Sequence, residues 1–316
     1  MSERLVYLNG DLVPEDEAKV SIFDRGFSMG DGVYEATRTF GHKLFKLDRH
    51  MDRLFRSLTY VRIDCGMERA ALERTTLDLV ERNVHLLGES DDFTVWHIIS
   101  RGEQLPSLKR GPTVSIFCKD VEFSRFARNY VDGAILVTPS TRRTPPQSLE
   151  SKAKITNKMN HTIAAFEARQ VDPRAVPLML DIDGNIGETN STNFFFVSQG
   201  RLCTSTDRNV LGGITREVLF ELAAKLGIEV VVDDFTPYDV FTADEAFLAG
   251  TSSIIQAVRS LNGVKIGDKL PGPITMRLIG AWNDMIGYDY VSQALSHLGD
   301  NESKELLAGW QNRLAS

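Results

Sequence analysis

The sequence predicts an α+β protein with two domains, and three observations carry that expectation. Strand-like and helical runs are segregated in blocks and do not alternate as βαβ units. A polar and aromatic stretch at 123–132, ending in Gly133, separates two such blocks. The 316 residues are 42% apolar, ample for two packed cores. The expected domains are 1–122 and 133–316, with 123–132 as the linker between them.

In the first block, short strands are expected at 5–9, 20–23, 33–40 and 43–47. Leu47, Met51, Leu54, Phe55 and Leu58 then recur at helical spacing, as do Leu72, Leu79, Val80, Val84 and Leu87 before Gly88. Strands at 93–100 and 113–118 complete the domain. The second block opens with a strand at 134–138. A helix over 155–169 follows, with Ile155, Met159, Ile163 and Phe166 on its apolar face. A hairpin is expected over 177–186, turning at Asp183-Gly184, then strands at 193–197, 201–204, 229–232 and 245–248. A helix over 216–226 stops at Gly227.

Composition narrows the function. A formal charge of −7 without a basic cluster argues against nucleic acid or anionic membrane as partner and favours a small molecule. Cys65, Cys118 and Cys203 are widely spaced and read as core thiols. No run approaches membrane-spanning length, and the amino terminus leads straight into a strand-like run, which points to the cytoplasm. The six histidines lack paired ligand spacing, so no metal site is expected. The Gly30-Asp31-Gly32 run lacks the third glycine of a dinucleotide loop, having Glu35 there, and reads as a turn.

Three segments suggest anion and amine chemistry. Leu211-Gly212-Gly213-Ile214-Thr215 precedes a helix whose unpaired N–H groups suit a dianion, although such turns are often plain caps with Thr215 as N-cap. Lys154 opens a helical run, flanked by Lys152 and Lys158. Glu188 follows thirty-four residues later in the polar turn Gly187-Glu188-Thr189-Asn190-Ser191-Thr192-Asn193.

Together these residues make the chain resemble the class IV aminotransferases, the fold-type IV pyridoxal phosphate enzymes. Further marks are Arg25-Gly26-Phe27-Ser28-Met29-Gly30-Asp31-Gly32-Val33-Tyr34-Glu35, His50-Met51-Asp52-Arg53-Leu54 and Ala249-Gly250-Thr251-Ser252. The resemblance implies a two-domain fold-type IV enzyme with pyridoxal 5'-phosphate as cofactor. It makes Lys154 the catalytic amine, with Lys152 and Lys158 as the alternatives. Glu188 would hold a proton on the ring nitrogen. Arg53, Gly213, Ile214, Thr215 and Thr251 would hold the phosphate, Arg143 would lie near the phenolic oxygen, and Ser191, Thr192 and Asn193 would add hydrogen bonds. Five residues after the lysine, where branched-chain members carry tyrosine, this chain has Met159.

Tyr34, Arg38, Arg101, Thr251 and Ser252 are the candidates for binding the substrate carboxylate, while Arg38 and Arg101 read equally as structural ion pairs. Trp96 and Phe40 are candidates for an apolar pocket or for core. The expected reaction is amino transfer between a branched-chain or other hydrophobic amino acid and a 2-oxo acid. The alternatives are a D-amino acid or (R)-amine transaminase, a lyase of the aminodeoxychorismate type, and a pyridoxal phosphate-binding protein that does not transaminate. In relatives, the loop matching 102–112 reaches a partner subunit's site, which implies a homodimer.

Overall fold

A computed structural model describes residues 3–103 and 111–315. The chain divides into two compact units, one of Met1–Val121 with Ala153–Lys158 and the other of Glu122–Lys152 with Met159–Ser316. The lysine segment thus belongs to the first unit although it lies within the sequence of the second.

The first unit is an antiparallel sheet of β1 (Leu5–Leu8), β2 (Asp11–Pro14), β3 (Gly32–Phe40), β4 (Lys43–Leu44), β5 (Phe93–Ser100) and β6 (Thr113–Asp120), in the order β2-β1-β6-β5-β3-β4. Strand alternation sends Val33, Val95, Ile99, Val114 and Ile116 to one face, where they pack with Met51, Leu54, Leu72 and Leu79 of α2 (Leu47–Val61) and α3 (Arg69–Asn83). The opposite face carries Tyr34, Ala36, Trp96, Ile98 and Phe117, all half-buried. The strand expected at 20–23 is absent. Asp24 instead turns back to Ser21 O and caps a short helix, α1 (Arg25–Met29), by accepting from Gly26 N at 2.6 Å. Gly30 ends that helix with φ +66°, the left-handed turn for which a glycine is suited.

The second unit is built on a mixed sheet of β7 (Ala134–Val137), β8 (Val176–Pro177), β9 (Asn193–Ser198), β10 (Arg201–Ser205), β11 (Val230–Asp233), β12 (Glu245–Gly250), β13 (Ile254–Leu261) and β14 (Val264–Lys265). Its order is β11-β10-β9-β12-β13-β7-β8, with β14 beside β13. β9 is an interior strand, and consecutive Phe194, Phe195, Phe196 and Val197 are all buried, as a strand covered on both faces requires. The stretch expected as a linker is folded: it forms a 3-10 turn (Phe123–Arg125) and a short helix (Asn129–Asp132). Phe123 and Tyr130 are buried, and the Tyr130 hydroxyl donates to Ser253 O at 2.6 Å.

Two helices depart from expectation. The helix expected from 155 begins at Met159 and runs to Val171, because Ile155 is extended and bridges Val33. Its expected apolar face is turned outward: Met159, Ile163 and Phe166 are 64%, 44% and 60% exposed. The buried face is His161, Ala164, Ala165 and Ala168, three alanines and one imidazole. The helix after the glycine turn runs Ile214–Lys225 with Gly213 as N-cap, so Thr215 lies inside its first turn and is not the cap. Between Leu180 and Ile186 only a single bridge forms, around a turn in which Asp181 Oδ1 accepts from Asp183 N and Asn185 N.

Candidate active site

In the first unit the site residues converge on α2 and β3. Lys154 is fixed by its backbone: its N–H donates to Ser57 Oγ at 3.0 Å, and its carbonyl accepts from Tyr34 N at 2.9 Å. Ser57 Oγ itself donates to Arg53 O one turn back along α2. Lys154 Nζ lies 4.5 Å from the Tyr34 ring centroid, which places the amine over an aromatic face. From Tyr34 the stack continues to Trp96 at 5.6 Å and on to Phe117 at 6.5 Å.

Arg53 is buried and gripped by Glu35, which accepts from Nε at 2.9 Å and Nη2 at 2.6 Å. His50 Nδ1 donates to Glu35 Oε1 at 3.0 Å. Burial alone would raise the Glu35 pKa, but Arg53 and His50 outweigh it and hold the carboxyl well below its usual range. Burial lowers the His50 pKa, and Arg53 and Lys154 add to that against the pull of Glu35. Glu35 is therefore an ionised, fully engaged clamp on the arginine.

Arg38 and Arg101, expected as carboxylate binders, are occupied elsewhere. Arg38 is buried toward the β4 end of β3, 3.9 Å from Asp92 Oδ2 and over the Phe40 ring. Arg101 donates from Nε and Nη2 to Asp31, from Nη1 to Arg62 O and again from Nη2 to Val61 O. Those bonds tie β5 to the end of α2 and, with Arg25, keep Asp31 below its usual pKa. Both arginines thus stand beside carboxylates of the first unit. Most of the loop 102–112 lies outside the described residues.

In the second unit the centre is Glu188, which is buried. Its Oε1 accepts from Arg143 Nη2 at 3.0 Å, and Oε2 accepts from Asn193 Nδ2 at 3.2 Å and Leu211 N at 3.1 Å. A carboxylate offers about four lone-pair positions, so these three donors leave one for a further N–H. Asn193 also donates to Leu211 O, joining the turn to the segment before Gly213. A side chain at 213 would run into Asn193 Oδ1, which is why glycine stands there. Ser191 N and Thr192 N both donate to Thr189 Oγ1 and shape the turn. Thr251 and Ser252 occupy the turn between β12 and β13. Each unit carries groups of the kind that a phosphorylated pyridine aldehyde needs: the first a lysine amine and a clamped arginine, the second a carboxylate with capacity for a ring N–H and backbone N–H groups at a helix start.

Glu35, His50, Ser57 and His161 were not among the residues expected at the site. The signal was present in α2, where His50, Arg53 and Ser57 interrupt the stripe set by Leu47, Met51, Leu54 and Leu58.

Comparison with known proteins agrees with the residues. Residues 32–261 match the family described as amino-transferase class IV. A Methanocaldococcus jannaschii protein, provisionally named a branched-chain-amino-acid aminotransferase, is 34% identical over 89% of this chain and 96% of its own length. A D-alanine aminotransferase of Listeria monocytogenes is 30% identical over 86% and 93%. Among solved structures, the T.th. branched-chain amino acid aminotransferase with pyridoxamine 5'-phosphate superposes with a TM-score of 0.80 at 27% identity, covering 90% of this chain and 94% of that one. The chain belongs to the class IV aminotransferases, and it moves an amino group between an amino acid and a 2-oxo acid with pyridoxal 5'-phosphate as cofactor.

Proposed function

We propose that this aminotransferase prefers branched-chain or other hydrophobic amino acids, with Lys154 as its catalytic amine. The observation that carries the reading is the position of Lys154 Nζ over Tyr34, at one end of the Tyr34–Trp96–Phe117 stack. An apolar side chain reaching that surface would leave water, at about 25 cal/mol per Å² buried. The names of the M. jannaschii and T.th. relatives support the same preference.

Pyridoxal phosphate, when bound, supplies an aldehyde for amine exchange and a ring that withdraws electrons. Lys154 would hold the cofactor through that aldehyde, and its amine, once freed by the substrate amine, would take the proton from the substrate α-carbon. Glu188 would keep a proton on the ring nitrogen, while Arg143 and Asn193 hold its carboxylate in place. Arg53, steadied by Glu35, would serve the phosphate from the first unit, and the N–H groups of Ile214 and Thr215 and the Thr251 hydroxyl would serve it from the second. Tyr34 and the Thr251–Ser252 turn meet the substrate carboxylate. The protein acts in the cytoplasm as a homodimer; the outward apolar ridge of Met159, Ile163 and Phe166 supports association with a second copy.

Borohydride reduction followed by peptide mapping tests the nucleophile. A cofactor adduct on Lys154, lost in Lys154→Ala, is expected; an adduct on Lys152 or Lys158 would reassign it. A panel of L- and D-amino acids and (R)- and (S)-amines, each with 2-oxoglutarate or pyruvate, tests the substrate. The relative named as a D-alanine aminotransferase keeps a second reading open, in which D-amino acids are the donors. Activity confined to D-alanine would establish it.

A further inference from the structure

Arg143 is held at four points within the second unit. Its backbone N–H donates to Leu180 O at 2.8 Å, Nε to Asn209 O at 3.4 Å, Nη2 to Glu188 Oε1 at 3.0 Å, and Nη1 meets His161 Nε2 at 3.0 Å. A guanidinium has hydrogens to donate and nothing with which to accept, so His161 Nε2 must be the acceptor. An imidazole that accepts on Nε2 carries its proton on Nδ1 and is neutral. His161 is buried at the start of the Met159–Val171 helix, two residues beyond the exposed Met159. That helix reaches the Arg143–Glu188 pair through this imidazole.

The geometry points to His161 as a positioning residue for cofactor binding. In its Nδ1-protonated form it receives Arg143 Nη1 and fixes the guanidinium so that Nη2 stays on Glu188. The Glu188 carboxylate is then restrained from both sides, by Arg143 on Oε1 and by Asn193 and Leu211 on Oε2. Its remaining lone-pair position keeps one direction, as a partner for a ring N–H requires. This inference rests on the proposed role of Glu188 and extends it to a residue that acts through Arg143.

The test uses the full chain, with and without pyridoxal phosphate. Long-range ¹H–¹⁵N spectra, with His161 assigned through the His161→Gln variant, report which ring nitrogen carries the proton. A protonated Nδ1 and bare Nε2 are expected in the cofactor-free protein, and a proton on Nε2 would overturn the proposal. His161→Leu removes the acceptor and should weaken pyridoxal phosphate binding about tenfold in a visible-absorbance titration, lowering kcat with little change in KM for the amino donor. His161→Gln presents an acceptor oxygen in the same direction and should recover binding to within about threefold of the parent. Equal behaviour of the Leu and Gln variants would sink the proposal. If His161→Leu fails to fold, the tautomer and the Gln variant still decide. Failure of the parent chain to take up pyridoxal phosphate would defeat the cofactor assignments, while the tautomer would still report on the His161–Arg143 contact.

Discussion

Acidification should destabilise the first unit through His97. The imidazole is fully buried in β5, with Nε2 2.8 Å from Thr76 Oγ1. That hydroxyl donates to Leu72 O at 2.8 Å, so it accepts from the ring, and His97 is protonated on Nε2. Among the described residues Nδ1 has no hydrogen-bond partner. Burial therefore pushes the pKa from 6.5 down to about 4, against a smaller upward pull from Glu35. The sign follows directly: the folded pKa lies below the unfolded one, so between these values the unfolded chain binds more protons and stability falls as pH drops. The whole gap is worth about 3 kcal/mol, of which about 2 kcal/mol is lost by pH 5. His97→Gln keeps an N–H for Thr76 but cannot titrate. Urea-dependent hydrogen exchange of β5 peptides, corrected for intrinsic rates, would be measured for both proteins at about pH 7.5 and about pH 5. The parent should lose about 2 kcal/mol more than the variant, because contributions shared by the two cancel in the difference. Equal losses would refute the reasoning.

Glu35→Gln should leave Arg53 buried without its counter-charge and cost about 3–5 kcal/mol in denaturant unfolding, so a loss below about 1 kcal/mol would contradict the clamp. Gly213→Ala should displace Asn193 from Glu188 and Leu211, weakening pyridoxal phosphate binding about tenfold; an unchanged dissociation constant would show that the turn yields at no cost. Glu245→Ala removes a buried carboxylate that accepts from Ile274 N, Thr275 N and the Thr275 hydroxyl at the start of the Pro273–Ile286 helix. It should cost about 2–4 kcal/mol on thermal denaturation while leaving the bound cofactor's absorbance unchanged, and a spectral shift would tie that cap to the site.

The strands were legible in the sequence where alternation or unbroken burial left one solution. β3, β5, β6 and β9 lie within a few residues of expectation because period-two patterning and the Phe194–Val197 run both demand a sheet. The 20–23 run misled because Val20, Ile22 and Phe23 are apolar but exposed, and their backbone is drawn into the turn that Asp24 caps. The Met159–Val171 helix misled for the opposite reason. Its inner face is built from alanines and a histidine, and a hydrophobic pattern gives them less weight than the larger Met159, Ile163 and Phe166 outside. Large apolar residues mark a core only where the neighbouring element leaves room for them.

The site was legible through groups whose chemistry is rare in a plain core, and much less so through the groups that hold them. Lys154, Glu188 and the glycine turn stand out as residue types at particular spacings. Ser57 is one serine among many, yet its hydroxyl joins the Lys154 backbone to the Arg53 carbonyl, so it couples the amine to the proposed phosphate arginine. Its role depends on a contact between residues 97 positions apart, which no local pattern contains. Glu35 is similar: on β3 it reads as a strand polar residue, and only the packing of α2 makes it the counter-ion of Arg53 and the acceptor for His50. A short motif therefore names the reacting groups, and the fold must bring up the residues that orient them. A substitution at Ser57 or His161 should accordingly alter cofactor binding while leaving every motif by which the family is recognised intact.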